Sequence, residues 1–394
     1  MSIRLAHRIQ RIRPSATVSI TAKALNLREQ GRDIIGLSAG EPDFPTPEHI
    51  RAAGIQAIAT GNTKYTALDG SRQLKQAIVE KLARENGLSY EIDQVLVSSG
   101  AKQSCYNACQ ALLEAGDEVV IQAPYWVSYP DMVRLTDADP VIIHTSADQE
   151  FLISPEQLEA AITAATRLVI LNSPCNPTGA VYSASHWHDF GEVLREHPRV
   201  LVLSDEIYEH IYWADAPFTS FAHACPDLYE RTITVNGMSK GYAMSGWRIG
   251  YAAGPVPIIK AMTTIQSQST TNACTISQAA ACAALTGDQQ CVKDMCRIFK
   301  KRHDFVHARI NAIEGFRCPE GRGAFYLFPN IDAALRRKQI DDDVAFCEAL
   351  LEQAGVALVP GSAFGAPAHL RISFAASLDT LGEALDRIET FMRA

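Results

Sequence analysis

No apolar run in the chain approaches the roughly 18 residues that a membrane-spanning helix needs, so no span is expected. Excess positive charge is also missing: 36 Lys and Arg stand against 44 Asp and Glu, a formal net charge of -8, which argues against nucleic acid or an anionic membrane as partner. The 10 cysteines, spread from Cys105 to Cys347, form no C-x-x-C pair, so reduced thiols are expected rather than a disulfide scaffold. Cys105 and Cys109 share a helical face with Ala108 and Leu112 and read as core. His186 and His188 have no acidic or Cys partner at ligand spacing, so no metal site is expected. Neither G-x-G-x-x-G nor G-x-x-x-x-G-K-[ST] occurs, which removes dinucleotides and nucleoside triphosphates as natural ligands. Arg4, Arg8, Arg11 and Arg13 lie among apolar residues without a signal-like hydrophobic segment, so a cytoplasmic location is expected. No internal repeat or low-complexity segment interrupts the chain.

What is present is ordinary globular composition, 47% hydrophobic and 20% charged, over 394 residues, enough for two or more domains. Residues 1–45 read as an arm, a polar helix to about Glu29 followed by a stretch whose prolines and Gly40 exclude regular structure. Short apolar strands then alternate with helices: 95–98, 118–122, 141–144, 168–172, 200–204, 232–235 and 249–253. Most are continuously apolar rather than alternating, as in a mostly parallel sheet covered by helices on both faces. A large domain is placed at 46–285. From about Gln289 a long helix leads into a mixed α+β segment, 286–394, with strands in 323–329 and 370–374.

Chemistry-bearing residues gather at the ends of these strands. Lys240, in VNGMSKGYAMSGWRIGY (235–251), is presented from a small-residue loop whose glycines permit tight turns and close approach. Desolvation or a cationic neighbour, here Arg248, would free its amine for Schiff-base chemistry. Gly100, Ala101 and Lys102 form a turn between a strand and a helix amino terminus, an anion site by dipole and free N–H groups. Asp205 ends a buried strand, where it serves either as a partner for a buried cation or as a helix cap. Asn176 lies in a Pro-rich loop and Trp126 follows another strand, and each alone has a purely structural reading as turn or core.

Together, N-x-P-x-N-P-T-G (172–179), S-D-E-I-Y (204–208) and S-K-x-x-x-M-x-G-W-R-x-G-Y (239–251) make the chain resemble the fold-type I, class I aminotransferases along essentially its whole length. The resemblance implies an α/β large domain, a mostly parallel sheet sandwiched by helices, and a smaller α+β domain built from the arm and the C-terminal segment. It implies pyridoxal 5'-phosphate, joined to Lys240 as a Schiff base, with Lys240 then acting as proton shuttle. Asp205 would keep the ring nitrogen protonated, Tyr208 and Asn176 would bond the ring oxygen, and Trp126 would stack on the ring. The backbone of Gly100, Ala101 and Lys102, with Ser239 and Arg248, would hold the phosphate. Tyr65 would reach across from a second subunit, which makes the protein a homodimer with shared sites. Arg371, in sequence terms only an exposed strand residue, would pair with the substrate α-carboxylate, helped by Asn176, Trp126 and Gly40.

Two departures bear on substrate. Gly237 stands where much of the family carries a hydroxyl residue, and residues 249–296 contain no arginine for a distal carboxylate. The segments PSATV (14–18) and PYWVSYP (124–130) match instead the bacterial branch acting on aspartate and, in some members, prephenate. There Lys102, Ser15 and Thr17 would receive the distal carboxylate. The implied function is transfer of the amino group of aspartate to 2-oxoglutarate by a ping-pong mechanism. The alternatives are an aromatic, prephenate or alanine-type aminotransferase, a pyridoxal phosphate β-lyase, or a non-enzymatic binding protein on the same fold.

Overall fold

A computed structural model describes residues 3–12, 14 and 16–394, with the side chains of 16–18 left aside. All seven apolar segments form strands of one sheet: β2 (Val95–Ser98), β3 (Glu118–Ala123), β4 (Asp139–His144), β5 (Thr166–Asn172), β6 (Leu201–Asp205), β7 (Thr232–Gly237) and β8 (Gly250–Ala253), β1 (Ile35–Gly36) lying elsewhere. Their order is β2-β8-β7-β6-β5-β3-β4. β8 pairs antiparallel with β2 and β7, and every other pairing is parallel. Every residue of β2, β7 and β8 is buried, which is why these strands read as apolar or β-branched runs rather than as alternating ones. One face packs on Cys105, Ala108 and Cys109 of helix Ala101–Leu112 and on Ile259 and Met262, the other in part on Leu158, Trp187 and Phe190.

Helix Arg72–Asn86 covers the β2 side. Ser71 accepts the Leu74 N–H at its start, and Gly87, at φ 64°, ends it in the left-handed region that glycine enters at little cost. Its inner face carries Leu74, Ile78 and Leu82 at helical spacing, together with two buried lysines, Lys75 and Lys81.

The C-terminal third adds a second core. Helix Gln290–Ala312 supplies Phe299, Val306 and Ile310. The final helix, Leu378–Arg393, is capped by Ser377 and buries Leu381, Leu385 and Ile388, each worth about 1.5–3 kcal/mol when fully removed from water. Between them β9 (Tyr326–Leu327), β10 (Val356–Ala357), β11 (Val359–Pro360) and β12 (Leu370–Ser373) complete the strands. β12 lies antiparallel between β11 and β9. The amino-terminal segment joins this body: β1, which is too short to leave a sequence period, pairs parallel with β10, and Ser373 N–H donates to Leu37 O at 2.9 Å. No described helix is long and apolar enough to cross a membrane.

Candidate active site

The carboxyl ends of the parallel strands open onto a cavity of about 270 Å³, the usual ligand position in an open α/β sheet. After β2 the chain turns through Gly100 into the helix whose first residues, Ala101 and Lys102, line the cavity. Trp126 and Tyr129 enter after β3, Asn172 at the end of β5 and Asn176 beyond it, Asp205 and Tyr208 at the end of β6. Ser239 and Lys240 follow β7, and Arg248 precedes β8. Gly40, Tyr326 and Arg371 close it from the C-terminal body.

The turn at Gly100 is fitted to its surroundings by glycine alone. Gly100 sits at φ 88°, and a Cβ there would lie 2.9 Å from Arg248 Cζ. Gly250, opposite, leaves room for the turn itself: its Cβ would stand 2.7 Å from Ala101 Cα and overlap the neighbouring backbone atoms. The first-turn N–H groups of Ala101 and Lys102 have no acceptor within their own helix and carry the positive end of its dipole. Among the described residues Arg248 donates only to the carbonyls of Ser245 (2.9 Å) and Ser99 (3.3 Å). Among the described residues no carboxylate forms an ion pair with it, so donors and positive charge face one spot suited to a phosphate. Gly250→Ala is expected to cost about 1–3 kcal/mol by overpacking, because backbone rather than a flexible side chain must yield. Chemical denaturation together with titration by inorganic phosphate checks this, and phosphate affinity should fall with stability.

Asp205 is the buried carboxyl of the site. Its Oδ2 accepts from Tyr129 OH at 2.6 Å and lies 3.8 Å from Cys105 Sγ, and its Oδ1 accepts the Ile207 N–H at 3.2 Å. Burial pushes the carboxyl up, while these donors and the nearby Lys240 pull it back. It is no helix cap: the residues after it form a turn, and its side chain faces the cavity. Tyr208 OH, 2.8 Å from Tyr326 OH, is held neutral chiefly by burial, well above the ordinary phenol range.

Lys240 Nζ donates to Gly40 O and stands 5.7 Å from the centre of the Tyr208 ring. Its pKa is lowered to about 8, first by burial and next by Arg371. Arg248, the neighbour expected from sequence, contributes less because its guanidinium is turned toward the Gly100 loop. The surrounding glycines also act differently from the expectation of tight turns. None of Gly237, Gly241, Gly246 and Gly250 has positive φ, whereas Ala243 and Arg248 do. Gly237 and Gly250 face each other across β7 and β8, and a Cβ on Gly237 would meet Gly250 Cα at 2.9 Å. Close strand approach thus accounts for the missing hydroxyl side chain at 237.

Arg371 corrects the reading of an exposed strand residue, being only 2% exposed. It lies between the rings of Tyr326 and Phe364, at 4.5 and 5.0 Å, because β12 is an inner strand covered on both sides. Nη1 donates to Asn176 Oδ1 (3.0 Å) and Nη2 to Ser38 O (2.6 Å), while the buried Nε has no partner among the described residues. A buried guanidinium meeting only neutral acceptors is costly unless an anion completes it. Asn176, its oxygen engaged by Arg371, is left with its NH2 end as a donor.

Three expected residues are not gathered here. Tyr65 is 89% exposed and does not line the cavity of its own chain. Ser15 and the Thr17 side chain lie outside the described residues. Conversely, Tyr129, Asn172 and Tyr326 were not singled out from sequence. Asn172 Nδ2 bonds Asp205 O and its Oδ1 takes the Asn176 N–H, both at 3.0 Å, and its place in N-x-P-x-N was the available signal. Tyr129 and Tyr326 sat in quoted segments, but an aromatic hydroxyl in such a segment does not reveal its partner.

The model for "Aminotransferase class I and II" matches residues 32–388. An aspartate/prephenate aminotransferase of Nitrosomonas europaea is 50% identical over 396 residues, covering 99% of this chain and 100% of that protein. An aspartate aminotransferase of Geobacillus stearothermophilus is 48% identical with full coverage of both. The crystal structure of the Rhizobium meliloti aspartate aminotransferase superposes with a TM-score of 0.95 at 48% identity, covering 100% of this chain and 99% of that one. That of the Thermus thermophilus enzyme with maleate gives 0.92 at 42%, covering 99% and 100%.

Proposed function

Because the chain belongs to the class I and II aminotransferase family, we propose that this cavity binds pyridoxal 5'-phosphate and transfers the amino group of aspartate to 2-oxoglutarate. The observation that carries the reading is the convergence of three buried groups on one cavity: the Arg371 guanidinium, whose Nε is unpartnered among the described residues, the Asp205 carboxyl and the Lys240 amine of lowered pKa.

The residues present fit the cofactor. The Gly100–Lys102 turn with Ser239 and Arg248 would hold its phosphate, and Asp205 would hold the proton on its ring nitrogen. Tyr208 and Asn176 would donate to its ring oxygen, and Trp126 would cover the ring face. When bound, the cofactor supplies a carbonyl for Schiff-base formation and a cationic ring that accepts electrons from the substrate Cα. Lys240 Nζ, its pKa lowered to about 8, would hold the cofactor covalently and, once freed by the substrate amine, would take the proton from Cα. Arg371 orients that bond by fixing the α-carboxylate as a planar fork, with Asn176 and the Gly40 backbone beside it. The amino donor and the acceptor oxo acid would occupy this cavity in turn, with Lys240 and Arg371 serving both halves of the exchange.

Aspartate is favoured over other donors by the relatives' names and by the dicarboxylate maleate in the Thermus structure. In this chain Lys102 lines the cavity, with Nζ 4.9 Å from the centre of the Trp126 ring and no ion-pair partner among the described residues. It would take the distal carboxylate, with Ser15 and Thr17. Lys102→Ala is expected to weaken aspartate by about 10–100-fold, the worth of a charged hydrogen bond, and to leave alanine little changed. Single-turnover decay of the cofactor absorption with aspartate, glutamate, alanine and phenylalanine measures it. Equal loss for every donor removes Lys102 from specificity, and failure of any donor to react overturns the aminotransferase reading.

A homodimer with shared sites is part of the proposal. Tyr65 projects from the surface, and a wider cavity of about 480 Å³ adjoins the first, lined by Lys102, Arg248, Ser269 and Thr270. This opening is where a second copy's Tyr65 would reach the phosphate. A cytoplasmic location accords with that role.

A further inference from the structure

Asp205 and Tyr208 occupy one face of a short turn, residues 205–210, and the other face enters a buried polar network. Glu206 is 2% exposed and Glu209 is 7% exposed. Glu206 Oε1 accepts from Ser204 Oγ (2.9 Å) and the Phe221 N–H (3.3 Å), and Oε2 accepts from Ser220 Oγ (2.6 Å). Glu209 Oε2 accepts from Asn86 Nδ2 at 2.7 Å, and its Oε1 takes the ammonium of the buried Lys81. Lys81 Nζ also donates to Asn86 Oδ1 at 2.7 Å, and Asn86 Nδ2 lies 3.0 Å from Ser220 Oγ, which links the two carboxyl groups through one continuous chain of hydrogen bonds.

Charged and titratable groups surround the network from every packed element. From helix Arg72–Asn86 come Lys81 and Glu85, whose Oε2 lies 3.6 Å from Lys81 Nζ. His210 Nε2 stands 3.0 Å from Glu85 Oε2 and 3.7 Å from Glu209 Oε1. The buried phenols of Tyr90, Tyr242 and Tyr251 complete the walls. Ligand atoms of Glu85, Glu209 and His210 lie within 4.8 Å of one another, but the Lys81 ammonium stands among them, so the chain itself supplies the cation. A second contact reaches the site directly: a Cβ on Gly241, next to Lys240, would lie 2.7 Å from His210 Nδ1.

The two carboxyl groups are neutralised differently. Burial alone would raise Glu209, yet the Lys81 charge leads the effects that hold it below its ordinary range. Glu206 has only neutral donors in contact. Burial pushes it up to about 7, Glu209 adding to the rise while Ser220, Ser204 and Lys81 oppose it. It is neutral below that point and charged above it, at the back of the turn that presents Asp205 and Tyr208.

We propose that Lys81, Glu209 and Glu206 are positioning residues for the active site, fixing from behind the turn that presents Asp205 and Tyr208, and that Glu206 makes the bound cofactor sensitive to a proton outside the cavity. This rests on the pyridoxal phosphate reading. The test uses the chain loaded with pyridoxal phosphate and compares wild type, Glu206→Gln, Lys81→Met and Lys81→Met/Glu209→Gln. Two readouts serve: the absorbance of the bound cofactor against pH, and the rate of cofactor release. Wild type should show an absorbance component near pH 7 that Glu206→Gln lacks. Lys81→Met should release cofactor roughly 10-fold faster or more, since loss of one partner leaves Glu209 buried and unpaired, and the double variant should recover most of that loss.

Identical absorbance curves for wild type and Glu206→Gln overturn the proposal, as does a Lys81→Met chain that melts lower but releases cofactor at the wild-type rate. Should Lys81→Met fail to fold, Glu206→Gln, which keeps the side-chain shape, decides by itself. A wild-type chain that takes up no pyridoxal phosphate overturns the functional reading and this proposal together, whereas uptake with unaltered variants overturns only the proposal.

Discussion

Replacing Lys240 with Ala is expected to lower turnover by at least about 10⁴-fold, because in the proposed mechanism one side chain supplies both the covalent attachment and the proton transfer, and general acid–base catalysis alone is worth about 10²–10⁴. The variant should still bind pyridoxal phosphate through the phosphate turn and Asp205, since neither depends on the amine. Gel filtration would then remove cofactor from Lys240→Ala and leave it on wild type. The sign of the pH dependence follows from the depressed pKa. Lys240 is charged and non-nucleophilic below about 8 and a free amine above it, so cofactor capture by the free chain should accelerate as pH rises through about 8 and then level off. A rate that falls over that interval would exclude Lys240 as the attacking group.

Arg371→Ala is the second large effect. The variant removes the fixed fork from a cavity wall and leaves the incoming carboxylate without its cation, a loss of about 3–5 kcal/mol if judged by broken buried pairs. That converts to roughly 10²–10⁴ in kcat/KM for amino acids. Arg371→Lys should recover only part, because an ammonium cannot keep bonds to Asn176, Ser38 and substrate in one plane. Amines without a carboxylate should react equally slowly with both variants and wild type. A comparable loss for such amines would mean that Arg371 supports the fold rather than the substrate.

Much of the sheet was legible because strands such as β2, β7 and β8 are buried on both faces, so they appear as apolar or β-branched runs bounded by turn residues. Asp205, Asn176 and Lys240 were legible for a related reason: each sits within a few residues of such a run, where an α/β sheet places its ligands. Arg371 was not, since a single arginine in LRISF says nothing about the strands and rings that bury it. The network of Lys81, Glu206 and Glu209 was hidden altogether. Its members are 128 residues apart along the chain at the Lys81–Glu209 contact, and each has the composition of an ordinary surface charge. Gly237 shows the opposite limit, for its significance is the atom it lacks, visible only once Gly250 stands across from it.

The facing pair Gly237 and Gly250 closes the base of the loop that carries both Lys240 and Arg248. Lys240 is three residues beyond one pin and Arg248 two residues short of the other, so the loop acts as a ruler that sets amine and guanidinium apart by a length of chain. Lys102 and the segment at 14–18 lie off that ruler. Under the proposed roles, selection could exchange the groups that choose a donor without re-spacing those that perform the chemistry, while an insertion or deletion between 237 and 250 would disable every donor at once.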